Sequence, residues 1–347
     1  MNAANEKEAV AALSSTSTSP STPSSPASGQ AAARSGHQAK QIPMAGGMDL
    51  LGLMKDYIVS PDRVVSIKGL DQAITRADPS ARDARSGQAG VRIGAAVKIT
   101  DLIENEVIRK SYPALLTAAE GVGTPQIRNM GTVGGNIAQR PRCWYFRNEE
   151  FHCLKKGGSR CFAVDGENQF HAIFGDGPCH IVHPSSLAVP VIAYGGRFRI
   201  AGPNGAREID AGEFFQMPNQ NLYGENVLQP NEIITHVILP AASPRSALYE
   251  VRFKQSHDWP LAAAAVNLVM SGSAVRSARI VMGAVAPIPW RVQAAERVLA
   301  GKAVTEALAV EAADAALAGA RAMSGNKHKI QIAKTAVKRA ILAASQA

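Results

Sequence analysis

The chain has no cysteine outside one short segment. Cys143, Cys153, Cys161 and Cys179 all lie between Arg140 and His180 of its 347 residues. A disulfide framework spread along the chain is thereby excluded. Aromatic residues are scarce as well, 5% against 46% hydrophobic residues overall, so the core is made of alanine and aliphatic side chains. That balance suits an α+β or α/β enzyme subunit. No run approaches the roughly 18–20 consecutive apolar residues of a membrane span. The longest near a catalytic-looking region, LAAAAV from Leu261, suits a buried strand or helix. The start, MNAANEKEAVAAL, lacks the basic end and apolar block of a secretory signal. The chain is therefore expected in the cytoplasm, or to leave it folded beside a partner that carries the signal. Also missing are a GxGxxG fingerprint, a GxxxxGK[ST] loop, CxxC pairs and any internal repeat.

What is present suggests two domains. The net charge is +9 with Lys and Arg scattered, which reads as a solvated basic surface or a face for an acidic protein partner. A nucleic-acid site would need a basic stripe with interleaved aromatics. Residues 14–39 are rich in Ser, Thr, Pro and Ala and read as a mobile surface insertion after a helix-like EKEAVAAL. From Gln41 the pattern predicts a strand, a Gly-Gly turn and a helix over Met48–Tyr57. Strands at Val64–Ile67 and Val91–Val97 and a helix over Tyr112–Gly121 follow. HIVHP, VPVIAYGGRFRIAG and the run ending in ITHVILP read as strands, and AASPRSAL at 241–248 as a linker. Strand candidates LYEVRFK, AAAVNLVMSG and ARIVMGAVAP then precede helices over Gln293–Leu299, Glu306–Ala322 and Ile330–Ala344.

Two glycine loops carry candidate chemistry. IPMAGGMDLL puts two glycines between a strand and a helix, where backbone can approach a ligand and N–H groups can face an anion. NMGTVGGNIAQ offers Gly131, Thr132, Gly134, Gly135 and Asn136, which suit the other side of a diphosphate. Two such loops in one domain fit a dinucleotide better than a single phosphate. A plain corner and a tight turn capped by Asn136 are the bland alternatives.

The cysteine spacing, C-x9-C-x7-C-x17-C, is not diagnostic. Two disulfides, unrelated buried thiols, and a metal or cluster site all fit it. Four thiolates match both zinc and a [4Fe–4S] cube. Arg140, Arg142, Arg147, Lys155, Lys156 and Arg160 would offset their charge, and the surrounding glycines permit irregular backbone. His152, His171, His180 and His183 read as satisfied core or surface histidines rather than ligands.

With these motifs in order, the chain resembles the FAD-binding medium subunit of the xanthine dehydrogenase family of molybdenum hydroxylases. It is most similar there to the flavin subunit of periplasmic-type aldehyde oxidoreductases, which carries an additional [4Fe–4S] cluster. The resemblance rests on PMAGGMDLL, IRNMGTVGGNIAQRPRC, GENQFHAIFG, CHIVHPSSLA, FKQSHDWPLAAAAV and GAVAPIPWR. It implies an α+β fold: a vanillyl-alcohol-oxidase-like FAD-binding domain in two subdomains over 1–240, then a C-terminal α+β domain of the CO dehydrogenase flavoprotein type over 246–347. Within the first domain, 140–180 is the cluster insertion. The first pyrophosphate loop is implied to be Ile42, Pro43, Met44, Ala45, Gly46, Gly47, Met48, Asp49 and Leu50. The second is Thr132, Val133, Gly134, Gly135 and Asn136. Val122, Ser186, Ile234 and Lys254 fall at further flavin-contact positions, Trp259 beside the isoalloxazine, and Cys143, Cys153, Cys161 and Cys179 at the cluster ligands.

Three departures from the family pattern stand out. HPSD is HPSS here, so Ser186 replaces a flavin-contacting aspartate, and Met48 stands where threonine is usual. Relatives also begin with an aromatic-rich segment before the equivalent of NAANEKEAVAAL. The implied role is electron transfer. A large partner with molybdopterin oxidises an aldehyde, a small partner with [2Fe–2S] clusters passes electrons here, and FAD hands them to an external acceptor. No side chain need act as acid or base. The family further implies a heterotrimer exported to the periplasm on the small subunit's twin-arginine signal. The rival readings are a self-contained flavin oxidase with covalently bound flavin and a zinc-stapled scaffold subunit.

Overall fold

The computed structural model describes residues 1–15, 41–77, 90–241, 244–254 and 256–347. The low-complexity run expected as a mobile insertion therefore lies outside the described residues from position 16 onward. Strands β1 (Gln41–Met44) and β2 (Arg63–Ser66) pair in parallel. The helix Glu6–Ser14 packs beside them, its start capped by Asn5, whose side chain accepts from the N–H of Glu8. Ala9, Val10 and Leu13 form its buried stripe, against Val65, Leu70, Ala96 and Ile233.

The second layer is a five-stranded antiparallel sheet. It contains β3 (Ile74–Arg76), β4 (Val91–Gly94), β5 (Arg197–Gly202), β6 (Gly205–Asp210) and β7 (Ile233–Leu239), in the order β3-β4-β7-β5-β6. Central β7, IITHVIL, is buried along its whole length, Thr235 and His236 included, so it is covered on both faces. The helices Ile99–Glu104, Pro113–Glu120 and Ala188–Tyr194 pack into the adjoining core.

The C-terminal sheet is an antiparallel meander of β8 (Ser246–Arg252), β9 (Pro260–Ser271), β10 (Ala274–Gly283) and β11 (Trp290–Arg291). Along β9 the two-residue period separates two cores. Ala262, Ala264, Val266 and Leu268 face the helices Gln293–Leu299, Glu306–Leu317 and His328–Gln346. Ala263 and Ala265 face the core of the preceding unit. The alanine run LAAAAV is thus one strand buried on both faces, with small side chains where the Ala188–Tyr194 helix approaches.

Several sequence expectations shift. VPVIAY forms the helix Ala188–Tyr194, not a strand. All seven residues are buried, so periodicity carries no signal, and Gly195 at φ 76° ends the helix in a left-handed cap. HIVHP is irregular backbone, its N–H groups engaged across the fold, as where His183 donates to the carbonyl of Ala286 at 2.9 Å. The expected linker at 241–248 overlaps β8, which starts at Ser246, paired with Asn267 of β9, and the Ser246 hydroxyl shares a buried bond of 2.6 Å with Tyr194. The helix expected over Met48–Tyr57 is shorter, Leu50–Lys55, and the strand at Val91–Val97 stops at Gly94.

Candidate functional site

A cavity of about 650 Å³ opens where the glycine loops, the five-stranded sheet and the C-terminal meander meet. It is bordered by the continuous stretch Gln41–Leu50, which leaves β1 and turns through Gly46 and Gly47. Gly47 has φ 76°, a left-handed conformation that favours glycine. At Gly46 a Cβ would lie 1.9 Å from the carbonyl oxygen of Met130, so the two loops touch backbone to backbone. The second loop forms the short helix Val133–Ile137, capped by Thr132, whose hydroxyl accepts from the N–H of Gly135 at 3.2 Å. The cap is thus Thr132, not Asn136. The Asn136 side chain instead accepts from the Ser185 hydroxyl at 2.7 Å.

The structure brings together most of the residues singled out by resemblance. Ile42 to Leu50, Val122, Thr132, Gly134, Gly135, Asn136, Ser186, Ile234 and Trp259 all line this cavity. Val133 and Lys254 do not. Val133 is buried in the first core because its position on the helix turns it inward, and Lys254 is exposed, its N–H bonded to Asp258. The spacing missed Gly123, Gln139, Arg142, Leu228, His257 and Asp258, which also line it. Arg142, between the second loop and the first cysteine, Gln139, at the end of that loop, and His257 and Asp258, in FKQSHDWP, lay within quoted motifs, whereas Gly123 and Leu228 carried no signal.

Asp49 organises the entrance. Its carboxylate pairs with Arg142 at 2.8 Å and Arg147 at 2.6 Å and accepts from the N–H of Arg140 at 2.8 Å. This explains why Asp49 makes no side-chain cap for the helix Leu50–Lys55. Burial lowers Arg142 to about 10, with Asp49 opposing, and its guanidinium sits 4.7 Å from the centre of the half-exposed Trp259 ring. Ser186 donates to Glu250 at 2.8 Å, and Glu250 pairs with Arg252, which donates to the carbonyl of Gly121 at 2.9 Å. The carboxylate absent at position 186 is thus present one bond away, contributed by β8.

The four cysteines are free thiols, and all four border one enclosed gap with Lys155, His171 and Phe162 among its walls. Phe146, Leu53 and Ile58 form the apolar packing around Cys153. Burial raises Cys143 to about 11, and its sulfur lies 3.2 Å from Nε2 of His171. Cys161 is lowered to about 5 by a hydrogen bond from the thiol of Cys179, which that bond and burial push upward. No group of three or more His, Cys, Asp or Glu among the described residues could hold a single metal ion. A cube differs in its demand, because each thiolate takes a separate iron. Four thiols around one enclosed gap are the donor chemistry of such a cube, and the residues fit it.

The residues also fit FAD. The cavity is largely apolar with a few placed polar groups, and at Gly46 and Gly134 a side chain would collide, with Met130 and with Ala95 respectively. An α+β fold with this cavity at its domain junction defines a class, the flavoprotein subunit. Residues 17–242 match the model of the FAD binding domain in molybdopterin dehydrogenase, and 247–344 that of the CO dehydrogenase flavoprotein C-terminal domain. The chain belongs to the family of FAD-binding medium subunits of molybdenum hydroxylases, and is an oxidoreductase subunit.

Among its relatives is the aldehyde oxidoreductase FAD-binding subunit PaoB of Escherichia coli (strain K12). It is 33% identical over 273 residues, 76% of this chain and 82% of that one. The carbon monoxide dehydrogenase medium chain of Hydrogenophaga pseudoflava is 30% identical over 322 residues, 91% of this chain and 93% of that one. The solved carbon monoxide dehydrogenase of Hydrogenophaga pseudoflava lacking the Mo-pyranopterin moiety superposes with a TM-score of 0.70 at 26% identity, covering 99% and 95% of the two chains. Quinoline 2-oxidoreductase from Pseudomonas putida 86, at TM-score 0.69 and 21% identity over 99% and 95%, shares the fold.

Proposed function

We propose that this chain is the FAD- and [4Fe–4S]-carrying electron-transfer subunit of a heterotrimeric molybdenum aldehyde oxidoreductase. The observation that carries the reading is the joining of the two sites. Arg140–Arg147 leaves the FAD cavity, pairs with Asp49 of the first glycine loop, and contains the first cysteine of the enclosed gap. The likeness to an aldehyde oxidoreductase subunit supports the choice of complex.

In this reading the unit 1–240 holds FAD between Ile42–Leu50 and Thr132–Asn136, and the unit 246–347 closes the cavity with Trp259. Cys143, Cys153, Cys161 and Cys179 are the cluster ligands. FAD supplies the exchange between one-electron and two-electron transfers, and the iron–sulfur group a one-electron station. The protein's own task is placement. Gly46 and Gly134 let the cavity walls pack closely, against Met130 and Ala95, Arg140 and Arg142 set positive charge at its entrance, and Trp259 offers an aromatic face. A large partner holds molybdopterin and a small one [2Fe–2S] clusters, whose electrons pass to FAD and on to an external acceptor. The assembled complex is exported to the periplasm with a signal-bearing partner.

Metal and flavin analysis of anaerobically purified protein tests the reading. The expected result is about one FAD and roughly four irons per chain, with iron lost in Cys161→Ser. Colourless protein with zinc would establish the scaffold reading instead. FAD retained after denaturation would establish the covalent oxidase. A Cys161→Ser variant with full iron would overturn the ligand assignment.

A further inference from the structure

Between the FAD cavity and the cysteine gap lies a chain of three charges, of which Glu225 and Lys155 are buried and Arg140 is partly exposed. Glu225 is held in place where Phe215 and Asn226 form a bridge and the N–H of Gln216 donates to its carbonyl at 3.0 Å. One carboxylate oxygen meets Nε of Arg140 at 2.7 Å and the other meets Nζ of Lys155 at 2.7 Å. The side chains of Glu225 and Lys155 are 3% and 1% exposed, so this pairing is removed from water. Arg140 lines the FAD cavity and Lys155 lines the cysteine gap. Each cation is also fixed by carbonyls of one loop. Arg140 donates to Tyr223 at 2.8 Å, and Lys155 to Leu222 at 2.9 Å and Gly224 at 3.0 Å.

We propose that Glu225 is a positioning residue that couples the two sites, sharing its single negative charge between a cation facing the flavin and a cation facing the cluster. The proposal rests on the reading of the gap as a cluster site. The three groups carry one surplus positive charge, which the two sites share. In a buried setting such charges are weakly screened, so a change at one end is felt at the other. Added negative charge in the cysteine gap draws on Lys155, leaves Glu225 to neutralise Arg140, and weakens the hold on an anionic diphosphate in the cavity. By linkage, a bound diphosphate makes electron entry at the cysteine gap harder by the same factor.

The test follows FAD release from the holoprotein by flavin fluorescence, with iron content measured in parallel. Lys155→Met, which lies outside the FAD cavity, is expected to release FAD roughly tenfold faster, whereas Lys155→Arg stays within about twofold of the parent. Release at the parental rate in Lys155→Met overturns the coupling, and equal acceleration in Lys155→Arg assigns Lys155 to packing alone. Arg140→Gln gives a second readout independent of how Lys155→Met folds. Its iron centre, titrated by electron paramagnetic resonance, is expected at a lower potential although Arg140 does not line the gap, and an unmoved potential overturns the proposal. Iron-free parent protein in which Lys155→Met still speeds release sinks the cluster reading and leaves the bridge. Iron-loaded protein with unchanged release sinks the bridge alone.

Discussion

Glycine 46 shows how narrowly single residues are constrained at this site. A methyl group there would lie 1.9 Å from the carbonyl oxygen of Met130, and backbone cannot yield as a flexible side chain would. Gly46→Ala is expected to push the glycine loops apart and lower FAD content at least tenfold, with a stability loss of about 1–3 kcal/mol. Flavin absorbance per chain and thermal melts would show it, and full FAD content would contradict the backbone contact. The sequence marked Gly46 through its loop, but not its partner. Met130 stands at the start of the second glycine loop without a role of its own and becomes critical only once the loops meet. Arg140 and Lys155 were likewise visible as charges beside the cysteines, while Glu225 was not singled out and the sharing of its carboxylate depends on segments far apart in the chain.

At the scale of elements, the helix Ala188–Tyr194 binds the molecule's two halves. Its last residue carries a hydroxyl that accepts from the N–H of Ala114 at 3.2 Å and bonds Ser246 at 2.6 Å, with the ring edge-on to Tyr112 at 5.3 Å. Tyr194→Phe keeps the packing and leaves these buried groups without their partner. The expected cost is about 1–3 kcal/mol, read by urea unfolding, and a change under about 0.5 kcal/mol would contradict the role of this bond. This helix is also where strand patterning failed. A run apolar on every face has no period, and its helical state follows from burial between two sheets. By contrast, the helices His328–Gln346 and Glu306–Leu317 were legible, because one face of each is solvated and the period survives.

For the whole molecule, acid stability follows from a buried imidazole. His183 packs edge-on to Phe215 at 4.6 Å, accepts from the N–H of Ser185 at 3.3 Å, and is lowered by burial from 6.5 to about 4. Its folded-state pKa lies below the unfolded one, so between pH 6.5 and about 4 the unfolded chain binds the extra proton. The stability contribution is complete above pH 6.5 and is lost as pH falls toward 4, by up to about 1.4 kcal/mol per pH unit. His183→Gln should flatten part of this slope in melts at pH 7 and pH 5. An unchanged slope would show that the ring is not kept neutral by the fold.

The sequence alone offered two glycine loops, one cysteine segment and a chain with room for two domains, in the order that carries the family resemblance. Those features are local, because a tight turn needs glycine and a thiol donor set needs cysteine whatever surrounds them. Only the tertiary structure decided that both glycine loops and Trp259 face a single cavity, that Lys254 and Val133 stay out of it, and that Glu250 stands behind Ser186. It also decided that the cysteines close on one gap joined to that cavity through Glu225. These are contacts between residues distant in the chain, set by how sheets and helices bury their apolar faces, and no local pattern encodes them.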